Sequence, residues 1–316
     1  MCLLPPSVQR PERTDTLGET QPLSCQRGDN RQILPPMKNP ALLALSLVPA
    51  LLPAAAFAGA PYVAMGSSYA AGPNIGQSAD TPANRCARSA SNAAHIFAQK
   101  AGLELKDVSC SGATTAHILG PWNELPAQVD ALDADTRLVT VTIGGNDLGY
   151  MTAIGKLRCP SLSEAERARY FGGGCTPFAP LTQEAKAKLA ADMDRMIATI
   201  HQRSPKARVL IVQYFSLMPA KGNCPATGLS DEAVEQIRPI PATLSAITEA
   251  AVRPYRAFAR TVPLDRASAD HGICGAAPWS NGASPDLAKK DGVNYHPNQA
   301  GMAADAALIE AAWKAR

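Results

Sequence analysis

Residues 62–73 read Tyr-Val-Ala-Met-Gly-Ser-Ser-Tyr-Ala-Ala-Gly-Pro. An apolar run, Tyr62 to Met65, has strand character and breaks at Gly66. Two serines follow at the break. A strand ending this way sets a hydroxyl on the carboxyl rim of a sheet, where open α/β sheets bind their ligands. Ser68 is therefore a candidate nucleophile, although a serine after a glycine is, on its own, most often a turn residue.

Working outward, the chain repeats this pattern. A helix is predicted over Ser89–Ala101 and a strand over Leu103–Val108, which runs into Cys110-Ser111-Gly112-Ala113-Thr114-Thr115. A short helix is expected over Leu125–Leu132. The β-branched run Leu138–Ile143 predicts a buried parallel strand that stops at Gly144-Gly145-Asn146-Asp147. Residues 155–180 contain Cys159, Cys175 and three consecutive glycines and predict a disulfide-pinned excursion; the glycines lack the Lys-Ser/Thr of a phosphate loop. Thr182–Arg203 places Leu189, Met193, Met196, Ile197 and Ile200 on one helical face. A strand over Ala207–Val212, a helix over Ala242–Arg260 and a strand near Val262–Leu264 follow. Residues 265–295 are loop-rich, and a helix from Pro297 to about Trp313 closes the chain. This alternation predicts an α/β fold, a three-layer α/β/α sandwich with a central parallel sheet.

Composition sets further bounds. With 316 residues, 46% hydrophobic and 18% charged, the chain can bury a sizeable core. The net charge of +3 comes without any basic block, so nucleic acid is not an expected partner. Met37-Lys38-Asn39, the apolar residues 41–55 and the small-residue pattern Ala56-Phe57-Ala58 have the layout of a signal peptide over 37–58, cleaved after Ala58. The alternative, an uncleaved anchor, is opposed by Pro49 and Pro53 in a run of marginal length. Residues 1–36 are polar and aperiodic, a disordered leader, with Met37 an alternative start. The domain is then 59–316, secreted or periplasmic, with no stable membrane insertion after cleavage.

Setting aside Cys2 and Cys25 leaves six cysteines, an even number, which in an exported chain reads as disulfides. Many pairings are open. Nearest-neighbour bonding, Cys86–Cys110, Cys159–Cys175 and Cys224–Cys274, would pin one loop in each third of the domain. No Cys-x-x-Cys spacing suggests zinc.

A serine hydroxyl needs a base within hydrogen-bond reach and donors for an oxyanion. Gly112 offers a close backbone N–H, Asn146 a side-chain N–H and Ser68 its own N–H. The base is His296, in Val293-Asn294-Tyr295-His296-Pro297-Asn298. Pro297 suits the first position of a helix, whose dipole at the amino end would keep the imidazole neutral.

These four blocks resemble the SGNH, or GDSL-type, hydrolases, in particular their secreted actinobacterial esterases and lipases. Gly66-Ser67-Ser68 resembles the first block, Gly112 the second, Gly144-Gly145-Asn146-Asp147 the third and His296-Pro297 the last. The resemblance covers nearly all of 59–316. It implies the flavodoxin-like SGNH fold, an acyl-enzyme mechanism on small-molecule or lipid esters, and no cofactor or metal. A monomer is expected.

The chain departs from the family pattern twice. Ser67 replaces the usual aspartate beside the nucleophile, and Val293 stands where an aspartate usually orients the histidine. The expectation is a Ser68–His296 dyad, with the backbone carbonyl of Val293 or Asn294 accepting the imidazole N–H; Asp291 is the nearest upstream carboxylate. Acyl transfer to another alcohol, phospholipid hydrolysis and a non-catalytic exported binding domain are the alternatives. His95, His117 and His201 are expected to be surface or capping residues. His271 is expected to serve a loop, Trp279 to pack or to wall the substrate site, and Asp147 to cap the helix that follows it. No His-Glu-x-x-His, Gly-x-Ser-x-Gly or EF-hand pattern occurs.

Overall fold

The computed structural model describes residues 61–315. The leader 1–36, the signal segment 37–58 with its cleavage after Ala58, and the first two residues of the expected domain lie outside the described residues.

Five parallel strands form one sheet in the order β2-β1-β3-β4-β5: β1 Tyr62–Gly66, β2 Leu105–Asp107, β3 Leu138–Thr142, β4 Arg208–Val212 and β5 Ala259–Val262. The order reverses between β1 and β3, which pair Tyr62 with Leu138 through Gly66 with Thr142. Both strands are buried along their whole length, as expected of a parallel sheet covered on two faces. Helices α2 (Ala93–Ala101) and α10 (Gln299–Lys314) pack together on one face. Helices α3 (Thr115–Leu119), α6 (Gln183–Arg203) and α8 (Pro239–Val252) pack together on the other. Among the described residues the other helices are α1 (Ser68–Ala71), α4 (Tyr150–Arg158), α5 (Glu164–Phe171) and α7 (Asp231–Ile237); a single turn, α9 (Leu264–Ala267), follows β5.

Several boundaries differ from expectation for local reasons. Helix α2 starts at Ala93, four residues later than predicted, because the Asn92 side chain caps it by accepting the His95 N–H at 3.0 Å. Strand β2 is shorter than Leu103–Val108 because the Asp107 carboxylate accepts the Ser109 N–H at 2.9 Å and turns the chain. Residues 125–132 hold a 3₁₀ turn, Gln128–Ala131, rather than a helix. Helix α8 begins at Pro239, earlier than predicted, since prolines fit a first turn whose N–H groups have no partner. It ends at Val252, before Pro254. Strand β5 lies three residues earlier than predicted, over Ala259–Val262, because Pro263 cannot donate to a ladder. The excursion 155–180 is partly helical: it carries the end of α4 and all of α5, whose Ser163 and Glu166 form a capping box.

Cys86–Cys110, Cys159–Cys175 and Cys224–Cys274 are bonded. Among the described residues no helix is long and apolar enough to cross a membrane.

Candidate active site

Gly66 ends β1 with φ +141°, and a Cβ there would lie 2.4 Å from the Thr142 carbonyl oxygen of β3. Only glycine lets the two strand ends approach this closely while the chain turns. Ser68 then opens α1 and is 7% exposed. Its Oγ lies 2.8 Å from Nε2 of His296.

The other imidazole nitrogen, Nδ1, lies 2.8 Å from the carbonyl oxygen of Asn294. A carbonyl only accepts, so Nδ1 carries the proton and Nε2 presents a lone pair to the serine hydroxyl. Of the two expected orienting groups, Asn294 takes the ring. The Val293 carbonyl instead accepts the His296 main-chain N–H at 3.3 Å. The Asp291 carboxylate is engaged elsewhere, accepting the Gln299 N–H at the start of α10 at 2.7 Å. The segment is held from several sides. Tyr295 takes a left-handed φ of +57°, its hydroxyl donates to the Thr227 carbonyl at 2.7 Å, and its own carbonyl accepts the Tyr69 hydroxyl at 2.6 Å.

The dipole of α10 is not what keeps His296 neutral. Asn298 caps α10, accepting the Gly301 N–H at 2.9 Å, and the helix begins at Gln299. Pro297 therefore lies outside the helix. Burial is what lowers the His296 pKa below its ordinary value, against a smaller opposing effect of the Asn294 hydrogen bond.

Strand adjacency brings the predicted oxyanion donors to the same rim. The Cys110 N–H donates to the Gly66 carbonyl at 3.0 Å, which sets the Gly112 loop beside the end of β1. Asn146 Nδ2 donates to the Ala113 carbonyl at 2.9 Å, leaving its second N–H uncommitted. The Ser68 and Gly112 N–H groups have no acceptor among the described residues. Asp147 caps a helix, but not the one that follows it. Its carboxylate accepts both the N–H and the hydroxyl of Thr115, at 3.1 and 2.5 Å, at the start of α3. The Gly112 and Asn146 loops are thus clipped to each other twice.

A cleft of about 560 Å³ opens from His296. Met151, Ile154 and Leu162 from the α4 region, Phe171 of α5 and Pro285 opposite give it apolar walls. A smaller hollow of about 250 Å³, beside Cys86 and Trp122, is not lined by either member of the Ser68–His296 pair.

The remaining histidines lie away from the pair. His95 faces Asp107 at 3.6 Å, His117 caps α3 and His201 stacks on Phe258. His271 bonds the Ala277 carbonyl and stacks flat on Trp279 at 4.0 Å. Trp279 does not line the cleft at His296, so of its two expected roles the packing one is observed. Sequence reasoning missed the cleft wall and the roles of the tyrosines around the pair, Tyr69, Tyr214 and Tyr295. The one available signal was an aromatic residue, Tyr214, just past the end of the fourth strand.

The profile of the GDSL-like lipase/acylhydrolase family matches residues 64–304. A lipase of Streptomyces rimosus is 28% identical over 275 residues, covering 82% of this chain and 91% of that protein. Lipase 2 of Streptomyces coelicolor is 32% identical over 272 residues, covering 82% and 88%. Among solved structures, the extracellular lipase of S. rimosus superposes with a TM-score of 0.62 at 25% identity, over 79% of this chain and 98% of that one. Phospholipase A1 of Streptomyces albidoflavus has the same fold, with a TM-score of 0.62 at 24% identity, covering 82% and 100%.

Proposed function

Since the chain belongs to the GDSL-like lipase/acylhydrolase family, whose members are carboxylic ester hydrolases, we propose that it cleaves acyl esters through a Ser68–His296 dyad and an acyl-enzyme. Ser68 Oγ attacks the acyl carbon while His296 Nε2 takes its proton. The oxyanion is held by the Ser68 N–H, the Gly112 N–H and the free N–H of Asn146. Nε2 returns the proton to the leaving alcohol; water, deprotonated by the same nitrogen, then attacks the acyl carbon, and Ser68 Oγ leaves, taking that proton back as the acid is released. The imidazolium formed in each step keeps Nδ1 on the Asn294 carbonyl, so no carboxylate takes part.

The observation that carries this reading is the 2.8 Å Nε2–Oγ contact with Nδ1 committed to Asn294. The apolar walls of the cleft, which also carries Arg158 and Glu166, favour esters of fatty acids over short polar acids. Three disulfides suit an oxidising compartment and favour export; a signal peptide over 37–58 and a monomeric mature enzyme over 59–316 are part of the same proposal.

The test is Ser68→Ala assayed on chromogenic acyl esters, with fluorophosphonate labelling in parallel. Loss of turnover and of labelling is expected. A Ser68→Ala chain as active as the parent rules the mechanism out.

A further inference from the structure

One tyrosine beside the dyad contacts the neighbours of both Ser68 and Asn146 and reaches His296 through a second ring. Tyr214, 5% exposed, lies just past the end of β4. Its hydroxyl shares a hydrogen bond of 2.7 Å with Oγ of Ser67, the residue before the nucleophile. Its ring lies against Gly145, the residue before Asn146, so closely that a Cβ there would sit 2.4 Å from it. Its ring also packs against that of Tyr69, tilted by 31° with the centroids 4.4 Å apart. Tyr69 in turn packs at a tilt against His296, centroids 5.0 Å apart, and donates its hydroxyl to the carbonyl of Tyr295, the residue before the base.

We propose that Tyr214 is a positioning residue that locks nucleophile, oxyanion donor and base into one register, and that the Ser67–Tyr214 hydroxyl pair fills the place of the carboxylate this chain lacks at position 67. The inference rests on the Ser68–His296 reading. The physical case is one of geometry. Catalytic groups must be held to within a fraction of an ångström, and each of these three is carried on a different turn. A single rigid phenol touching the neighbour of Ser68, the neighbour of Asn146 and, through Tyr69, both His296 and its neighbour removes three independent freedoms at once. Ser67 is fully buried, and among the described residues its hydroxyl has only Tyr214 as partner. Loss of the Tyr214 hydroxyl strands that of Ser67 in a dry site. Two neutral hydroxyls also satisfy each other without bringing a charge beside the nucleophile.

The two residues act as one element, which makes the test specific. Tyr214→Phe keeps the ring and removes the hydroxyl; Ser67→Ala removes its partner. Each single variant is expected to lower kcat about tenfold, the effect of one buried hydrogen bond on a transition state. KM should stay unchanged, because Tyr214 does not line the cleft. The double variant should be no slower than either single one. Fluorophosphonate should label Ser68 more slowly in all three, yet to full stoichiometry. A merely destabilised protein shows the opposite, a lowered end-point at an unchanged rate, and that result overturns the proposal. So do an unaltered Tyr214→Phe rate and losses that multiply in the double variant. If the parent itself is not labelled at Ser68, the dyad reading falls and this inference with it. A labelled parent beside an unaffected Tyr214→Phe overturns the positioning role alone.

Discussion

Replacing Asp291 separates a dyad from a triad more sharply than any change at the dyad itself. Where a carboxylate orients a catalytic histidine, its conversion to the amide costs about 10⁴ in kcat, because the ring is held in the wrong tautomer. Here the ring nitrogen Nδ1 is already committed to the Asn294 carbonyl at 2.8 Å. Asp291 instead accepts the Gln299 N–H at 2.7 Å. An asparagine side chain retains an acceptor for that N–H. Asp291→Asn should therefore leave kcat within about twofold of the parent, the range of a half-exposed substitution worth under about 0.5 kcal/mol. Asp291→Ala removes the acceptor at the start of α10 and should cost about 1 kcal/mol of stability, as loss of a helix cap does. In a domain of this size that lowers Tm by about 2–4 °C. The assay is steady-state hydrolysis of a chromogenic acyl ester for both variants, with a thermal melt beside it. A fall of three to four orders of magnitude in Asp291→Asn would show that a carboxylate does orient His296 and that the Asn294 carbonyl is not enough.

The acid limb of kcat/KM should report one ionisation, that of His296, which must be neutral to take the serine proton. Burial lowers its pKa, so activity should persist as pH falls through 6.5 and be lost below it; a midpoint above 6.5 counts against the assignment. Asp305, 2% exposed on α10, has its pKa raised by burial to about 7 from 3.8. The folded state thus holds a proton the unfolded state has released, and Asp305 costs stability progressively as pH rises from about 4 to 7, up to about 4 kcal/mol. Asp305→Asn should therefore melt near the parent at pH 4 and clearly above it at pH 8; parallel melting curves at both pH values would refute this.

Much of the architecture is written in local pattern. The run Leu138–Ile143 is β-branched and uninterrupted, which suits a strand covered on both faces, and β3 is the buried centre of the sheet. The helical period of Leu189, Met193, Met196, Ile197 and Ile200 marks α6 to within one residue, because the Thr182 cap is itself a sequence feature. Boundaries were lost where a side chain outside the period decided them: Asn92 at α2, Pro263 at β5, Asn298 at α10. The excursion 155–180 hid α5 because a surface helix without a single fully buried residue leaves no hydrophobic period to read.

For the site, small-residue breaks at three strand ends, a histidine before the last helix and the resemblance of the four blocks to a known family together nominated Ser68, Gly112, Asn146 and His296. A strand that stops at a small residue delivers its next side chain to the rim whatever the rest of the chain does. What orients His296 was not legible. Backbone carbonyls carry no residue identity, and the choice between Val293 and Asn294 depends on the left-handed turn at Tyr295. Nor was the partner of Ser67, since Tyr214 lies 147 positions away along the chain and meets it only through the order of β1, β3 and β4. Which groups are present, and which element carries each, follows from residue order. The tertiary structure alone decided which of them touch, because contacts between distant segments are set by sheet order and packing, neither of which has a local signature.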